Sequence, residues 1–134
     1  MLLPTALAAL ATLSMTPLSM TTADPPSSSR VIAVKLRDGG VAVRVELGVT
    51  CPAGAHAGLT VTVTEANGTR IAQGSRTGPA DCTGGPQEVA LRVNADPAGA
   101  PFVRGPATAR TVRTVCAGAD CATTPFDETI RITK

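Results

Sequence analysis

The sequence predicts an all-β protein whose single domain is a sandwich of seven antiparallel strands. Apolar residues alternate with polar ones through most of residues 30–134, and turn-forming residues separate the alternating runs. Outside the first residues of the chain, no segment repeats apolar residues at helical spacing. Short alternating strands with regularly spaced turns are typical of an antiparallel sandwich.

The N-terminal residues are typical of an export signal. The stretch from Leu2 to Leu13 is apolar, but it is short and interrupted by Pro4, so a membrane span is not expected. Small residues up to Ala23 predict cleavage after that residue, although no Lys or Arg precedes the apolar stretch, and an uncleaved anchor is the alternative. We therefore expect a secreted protein with a signal peptide at 1–23, a flexible lead-in at 24–29 and the domain at 30–134.

The first two strands are predicted on either side of a tight turn at Asp38-Gly39-Gly40. In the first strand, Ile32, Val34 and Leu36 alternate with Ala33 and Lys35. The second strand is the clearest of the chain, because six consecutive alternate positions are apolar. Its predicted inner face consists of Val41, Val43, Val45, Leu47, Val49 and Cys51.

The third and fourth strands are predicted to form a hairpin. Leu59, Val61 and Val63 face inward in the third strand and alternate with threonines. Asn67-Gly68 predicts a type I′ turn, since both residues tolerate positive φ. The returning strand, 69–76, is weakly apolar, so we expect an edge strand.

The fifth strand alternates Val89, Leu91 and Val93 with polar or small residues. A long connection over 96–106 follows, rich in proline and glycine, and Phe102 is its expected anchor in the core. The sixth strand is predicted at 107–115, with its inward face undecided, and the seventh at 126–133, with Ile130 and Ile132 inward. Such a domain is expected to be immunoglobulin-like, although it lacks the Trp and the tyrosine corner of antibody domains.

The four cysteines are expected to form two disulfides at one end of the domain. If successive strands alternate in direction, Cys51, Cys82, Cys116 and Cys121 lie in three loops at the same end. We favour pairing Cys116 with Cys121, because residues that flank a short turn reach disulfide distance, which leaves Cys51 with Cys82. The rival pairing joins Cys51 to Cys116 and Cys82 to Cys121, and it stays open.

Composition and motifs argue against catalysis. The net charge is +2 and no run of like charge occurs, so the sequence predicts no polyanion-binding stripe, no nucleic-acid partner and no cofactor. His56 is the only histidine; with Asp81 and Asp120 it offers a weak case for a catalytic or metal pair, and we expect an exposed loop residue instead. No nucleophile or metalloprotease motif is present.

Three short motifs resemble small exported sandwich proteins of actinobacteria whose function is unknown. They are Val49-Thr50-Cys51-Pro52, Asp81-Cys82-Thr83-Gly84-Gly85 and Pro101-Phe102-x-x-Gly105-x-Ala107. The resemblance covers most of residues 30–134 and implies an immunoglobulin-like domain of bacterial origin, without any implied activity.

The spacing Cys116-x4-Cys121 is similar to that in the chromophore-carrying apoproteins of the neocarzinostatin type, which are also secreted seven-stranded sandwiches. Their second disulfide closes a much shorter loop, and the aromatic residues of their ligand cleft are missing here. This likeness concerns the fold and carries no function.

We therefore expect a secreted, non-catalytic binding or structural module. Its partner would be an extracellular protein or a cell-surface component, and rigid loops at the cysteine end favour contact there. The expected contact residues are Ala117, Gly118, Ala119 and Asp120. The alternatives are an extracellular protease inhibitor with the 116–121 loop as bait, and a small-ligand carrier of the neocarzinostatin type.

Overall fold

The computed structural model describes residues 27–134, which form an all-β domain. Its seven strands are β1 (Ser28–Arg37), β2 (Ala42–Thr50), β3 (His56–Asn67), β4 (Arg70–Asp81), β5 (Pro86–Asn94), β6 (Gly105–Ala117) and β7 (Asp120–Thr133). The expected signal peptide lies outside the described residues. The first strand begins within the expected lead-in, and its Ser29 is buried.

The strands form one continuous sheet in the order β4-β3-β6-β7-β1-β2-β5. All strand pairs are antiparallel except β1 with β7, which run parallel and pair only at Val34 with Ile132 and at Lys35 with Thr133. The expectation of a purely antiparallel architecture is therefore wrong at this junction. The parallel contact arises because β1 and β7 both start at the cysteine end of the domain.

The two edges of the sheet approach each other, so the sheet is rolled almost into a barrel. Residues just after β5 bond to β4, since the amide of Asp96 donates to the carbonyl of Gln73 at 2.7 Å and that of Ala100 to Ile71 at 3.1 Å. Gly74 permits this approach, because a Cβ at that position would overlap the carbonyl oxygen of Asn94.

Aliphatic side chains from the inner faces of the strands fill the rolled sheet. The alternation predicted for the second strand is confirmed from Val43 to Cys51, whereas Val41 lies before β2 and is 56% exposed. The inner faces of β3 and β5 are also confirmed, because Leu59, Val61, Val63 and Val93 are inaccessible and Leu91 nearly so. Phe102 is 1% exposed and its amide donates to the Gly40 carbonyl at 2.8 Å, as expected of an anchor.

A β-bulge in β1 interrupts the alternation predicted for Ile32, Val34 and Leu36. Val31 pairs with Leu47 and Ala33 with Glu46, so Ile32 is an extra residue without a partner. The bulge shifts the alternation by one position. Val31 packs against the core, and Ile32 is 53% exposed instead of buried.

Several other element boundaries also differ from the sequence prediction. The turn between β3 and β4 consists of Gly68-Thr69 and not Asn67-Gly68, because Asn67 pairs with Arg70 and only Gly68 has positive φ. The fourth strand is an edge strand as predicted, but it runs to Asp81. The seventh strand starts at Asp120, six residues earlier than predicted.

Candidate functional site

Both disulfides lie at one end of the rolled sheet, which we call the disulfide pole. Cys51 bonds to Cys82, with 4.9 Å between Cα atoms, and Cys116 bonds to Cys121, with 4.0 Å. This is the pairing that the sequence favoured. The register places all four cysteines near His56, which is opposite Asp81 on β4 and Cys116 on β6.

The Cys116–Cys121 bridge closes a very tight hairpin. Ala117 pairs with Asp120, so only Gly118 and Ala119 form the turn. Gly118 has φ +62° and Ala119 does not have positive φ, which is typical of a type II′ turn with glycine first. All four expected contact residues, Ala117 to Asp120, are exposed at the tip.

The β7 side of this hairpin is exposed, whereas its β6 side pairs with β3 as far as Cys116 and packs Val115 against the core. We call residues 114–127 the hairpin arm; none of them is buried, and every β7 residue within it is exposed on either face. A strand of a sheet normally buries one face. Phe126 illustrates the difference, because it lies opposite the buried Thr111 on the inner face and is still 45% exposed.

The outer edge of β7 is unpaired along the arm. Within residues 27–134, β7 pairs with β6 on one side and meets β1 on the other only at its last residues. Between the arm and this parallel contact, the Glu128 carboxylate accepts a hydrogen bond from the Val31 amide at 3.0 Å. A side chain of β7 thus bonds to β1 where the two backbones do not pair. Pro125 fits such an edge, since proline cannot donate to a ladder and is confined to edge strands.

A buried arginine closes the base of the arm. Arg113 on β6 is 8% exposed, and its Nη1 donates to the hydroxyl of Ser29 on β1 at 2.7 Å. No carboxylate of residues 27–134 lies within ion-pair distance of it, and burial lowers the pKa of its guanidinium below the usual value. The neighbouring Thr111 hydroxyl is buried without a described partner. The arm is thus joined to β1 through polar groups, not through a packed apolar contact.

No local pattern in the sequence marks these polar groups. Arg113 and Ser29 are 84 positions apart, and the alternation of the sixth strand did not distinguish its faces. Glu65 was likewise missed; it is 4% exposed, and its Oε1 accepts a hydrogen bond from the Val103 amide at 2.9 Å. That contact fastens the 96–106 connection to β3.

His56 is exposed, as expected, but it is the first residue of β3 and not a loop residue, and it lies opposite Asp81 of β4. The described contacts include no ion pair or hydrogen bond from its side chain. Among residues 27–134, no three or more His, Cys, Asp and Glu residues come together in a way that would hold a metal ion. No helix within that range is long and apolar enough to cross a membrane.

Comparisons with known proteins return no match among family models, curated proteins or solved structures.

Proposed function

We propose that the protein is a secreted, non-catalytic binding module that contacts an extracellular protein through the hairpin arm. One observation carries the proposal: in a disulfide-closed hairpin, the β7 strand is exposed on both faces from Asp120 to Asp127, and its outer edge is unpaired there. Rigid elements lose little conformational entropy on association, which favours binding.

Strand addition is the mode of contact that the arm fits best. An extended segment of a partner gains main-chain hydrogen bonds from an exposed edge, and nearby side chains supply specificity. In a two-residue hairpin the closing pair, Ala117 and Asp120, exchanges both hydrogen bonds, so alternate β7 amides point away from β6. Thr123 and Asp127 then offer outward amides, with Phe126 as the apolar contact beside them.

The immunoglobulin-like architecture is part of the same proposal. The order β4-β3-β6-β7 and the order β1-β2-β5 correspond to the two layers of such a sandwich, joined here by the short parallel contact. Two disulfides are compatible with an exported protein, because disulfides persist outside the reducing cytosol. The proposal also includes kinship with the exported actinobacterial proteins that the three sequence motifs resemble.

The two alternatives find less support in the geometry. A bait loop has to offer several extended residues to a protease, and the turn at Gly118-Ala119 offers two. A small-ligand carrier needs an enclosed pocket. The surface depressions near β1 and β7, and beside Gly74, have volumes of about 310 and 420 Å³ and are open to solvent.

Capture of a partner protein from cell-surface extracts tests whether the hairpin arm is the contact surface. We expect the wild-type domain to retain a partner, and a variant with residues 117–120 scrambled, or Phe126→Ser, to lose it. Thr123→Pro should also weaken capture, because it removes one outward amide at a position of the same type as Pro125. All variants should keep the melting temperature of the wild type within about 5 °C, a shift worth roughly 1 kcal/mol.

The matched control is the other exposed two-residue hairpin, at the opposite end of the domain. Scrambling residues 67–69 should leave capture unchanged. Equal recovery of the partner by wild type and by the variants of the arm would reject the arm as the contact.

A further inference from the structure

The outward face of β1, β2 and β5 carries like charges directly opposite one another. Lys35 pairs with Arg44 across β1 and β2, and Arg44 pairs with Arg92 across β2 and β5. Arg37 lies beside them, and together with Arg44 and Arg92 it lines a depression of about 340 Å³. We call Lys35, Arg37, Arg44 and Arg92 the cation row.

The carboxylates near the cation row neutralise only half of its charge. Arg92 forms an ion pair with Asp38 at 2.6 Å, and Lys35 and Arg44 share Glu46 at 3.6 Å each. Four cations therefore face two carboxylates, an excess as large as the net charge of +2 of the whole protein. Exposed ion pairs of this kind contribute little, so an incoming anion displaces them at small cost.

The row is unfavourable for the free domain. Like charges directly opposite on adjacent strands destabilise a sheet, and here the arrangement repeats over two strand pairs. Local arrangements that oppose stability are found mainly where function requires them. A ligand with several negative charges would turn this repulsion into attraction.

The cations continue past β1. Lys35 pairs with Thr133 at the end of β7, where Arg104, Arg131 and Lys134 line a second depression of about 400 Å³. Within residues 27–134, these three cations form no ion pair at ordinary distance. From β5 through β2 to β1, Arg92, Arg44 and Lys35 provide one cation per strand step of about 4.8 Å, and this regular spacing fits a linear polymer with charged repeats.

We infer that the cation row binds a linear polymer of phosphate groups. Arginine predominates, and its planar guanidinium recognises phosphate oxygens through paired hydrogen bonds. The row lies toward the end of the domain opposite the disulfide pole, because Arg44 is near the start of β2 and Cys51 follows its end. Phosphate binding therefore does not depend on the hairpin arm.

Titration with long-chain inorganic polyphosphate tests the inference, with binding followed at several salt concentrations. The Arg44→Gln/Arg92→Gln variant should bind at least about tenfold more weakly than wild type, and the slope of log affinity against log salt should fall by about two. Its thermal stability should equal or exceed that of wild type, because two repulsive contacts are removed.

The matched control is Arg70→Gln/Arg76→Gln, which removes the same charge from exposed positions on β4. We expect its affinity to stay within about twofold of wild type. Equal losses in both double variants would show an effect of net charge alone and would overturn the site, as would absence of binding by wild type.

Two further ligands test whether the cation row prefers a phosphate polymer to other anions. Phosphatidylglycerol vesicles should bind more weakly than polyphosphate at equal phosphate concentration, and so should polyglutamate of equal charge. Stronger binding of vesicles would assign the row to a lipid surface, and equal binding of polyglutamate would remove the preference for phosphate; either result overturns the inference as stated.

Discussion

Replacing Phe102 with alanine is expected to destabilise the domain by about 3–5 kcal/mol, because it removes a large aromatic side chain from a packed core. Phe102 is 1% exposed and is the largest of the fully buried side chains. It also anchors the connection whose amides bond to β4 and to Gly40. Denaturant unfolding, followed by far-ultraviolet circular dichroism, measures the change.

The matched control for Phe102 is the only other aromatic residue, Phe126, which is 45% exposed on the hairpin arm. Phe126→Ala should cost less than about 1 kcal/mol, since exposed substitutions rarely exceed that size. A loss at Phe126 as large as the loss at Phe102 would mean that the Phe126 side chain is packed against the core, contrary to its exposure in the structure.

Removing the Cys51–Cys82 bridge by a double change to alanine is expected to cost about 4 kcal/mol, because that bridge restricts a long loop in the unfolded chain. The cysteines are 31 positions apart, and Cys51 is fully buried among the core side chains. Removing the Cys116–Cys121 bridge should cost only about 2 kcal/mol, since it closes a loop of 5 positions on an exposed hairpin.

Chemical denaturation of the two disulfide variants under identical conditions measures this difference. The control is the wild type unfolded with and without a thiol reductant. An equal loss in the two variants, or a larger loss without Cys116–Cys121, would contradict the assignment of the long bridge to the core and the short one to the arm.

Much of the fold could be predicted from the sequence because strand alternation is local. The run from Val43 to Cys51 has one strict period, and its side chains are buried as that period requires. Phe102 stands out as an anchor because large apolar residues are scarce in a proline-rich connection. The bridge between Cys116 and Cys121 follows from the short reach of a tight turn.

The departures arise where long-range contacts override local pattern. Nothing local marks Ile32 as an extra residue, since the bulge depends on how β1 matches β2. The parallel contact of β1 with β7 joins residues nearly one hundred positions apart, and the rolled sheet follows from the meeting of β4 with the chain after β5. Neither the β1–β7 pairing nor the approach of β4 to the chain after β5 changes the alternation of side chains within a strand, so the sequence pattern carries no signal for them.

Of the candidate sites, too, only the one marked by a local sequence pattern could be predicted. The tip at 117–120 could be predicted because two cysteines that flank four residues indicate a constrained turn. The cation row could not, because Lys35, Arg44 and Arg92 are dispersed in sequence and become neighbours only through the register of three strands. The unpaired edge of β7 could not be predicted either, because it depends on β1 and β7 pairing only near the end of β7.

Amide hydrogen exchange along β7, measured by nuclear magnetic resonance on the purified protein, tests directly whether the outer edge of the hairpin arm is exposed. We expect the exchange rates to alternate: the amides of Thr124 and Phe126, which point toward β6, should exchange slowly, and those of Thr123 and Asp127 should exchange rapidly. In β2, which has a partner on each side, residues Val43 to Val49 should be protected throughout. Uniform protection along β7 would show that its edge is already covered in the isolated protein and would contradict the account.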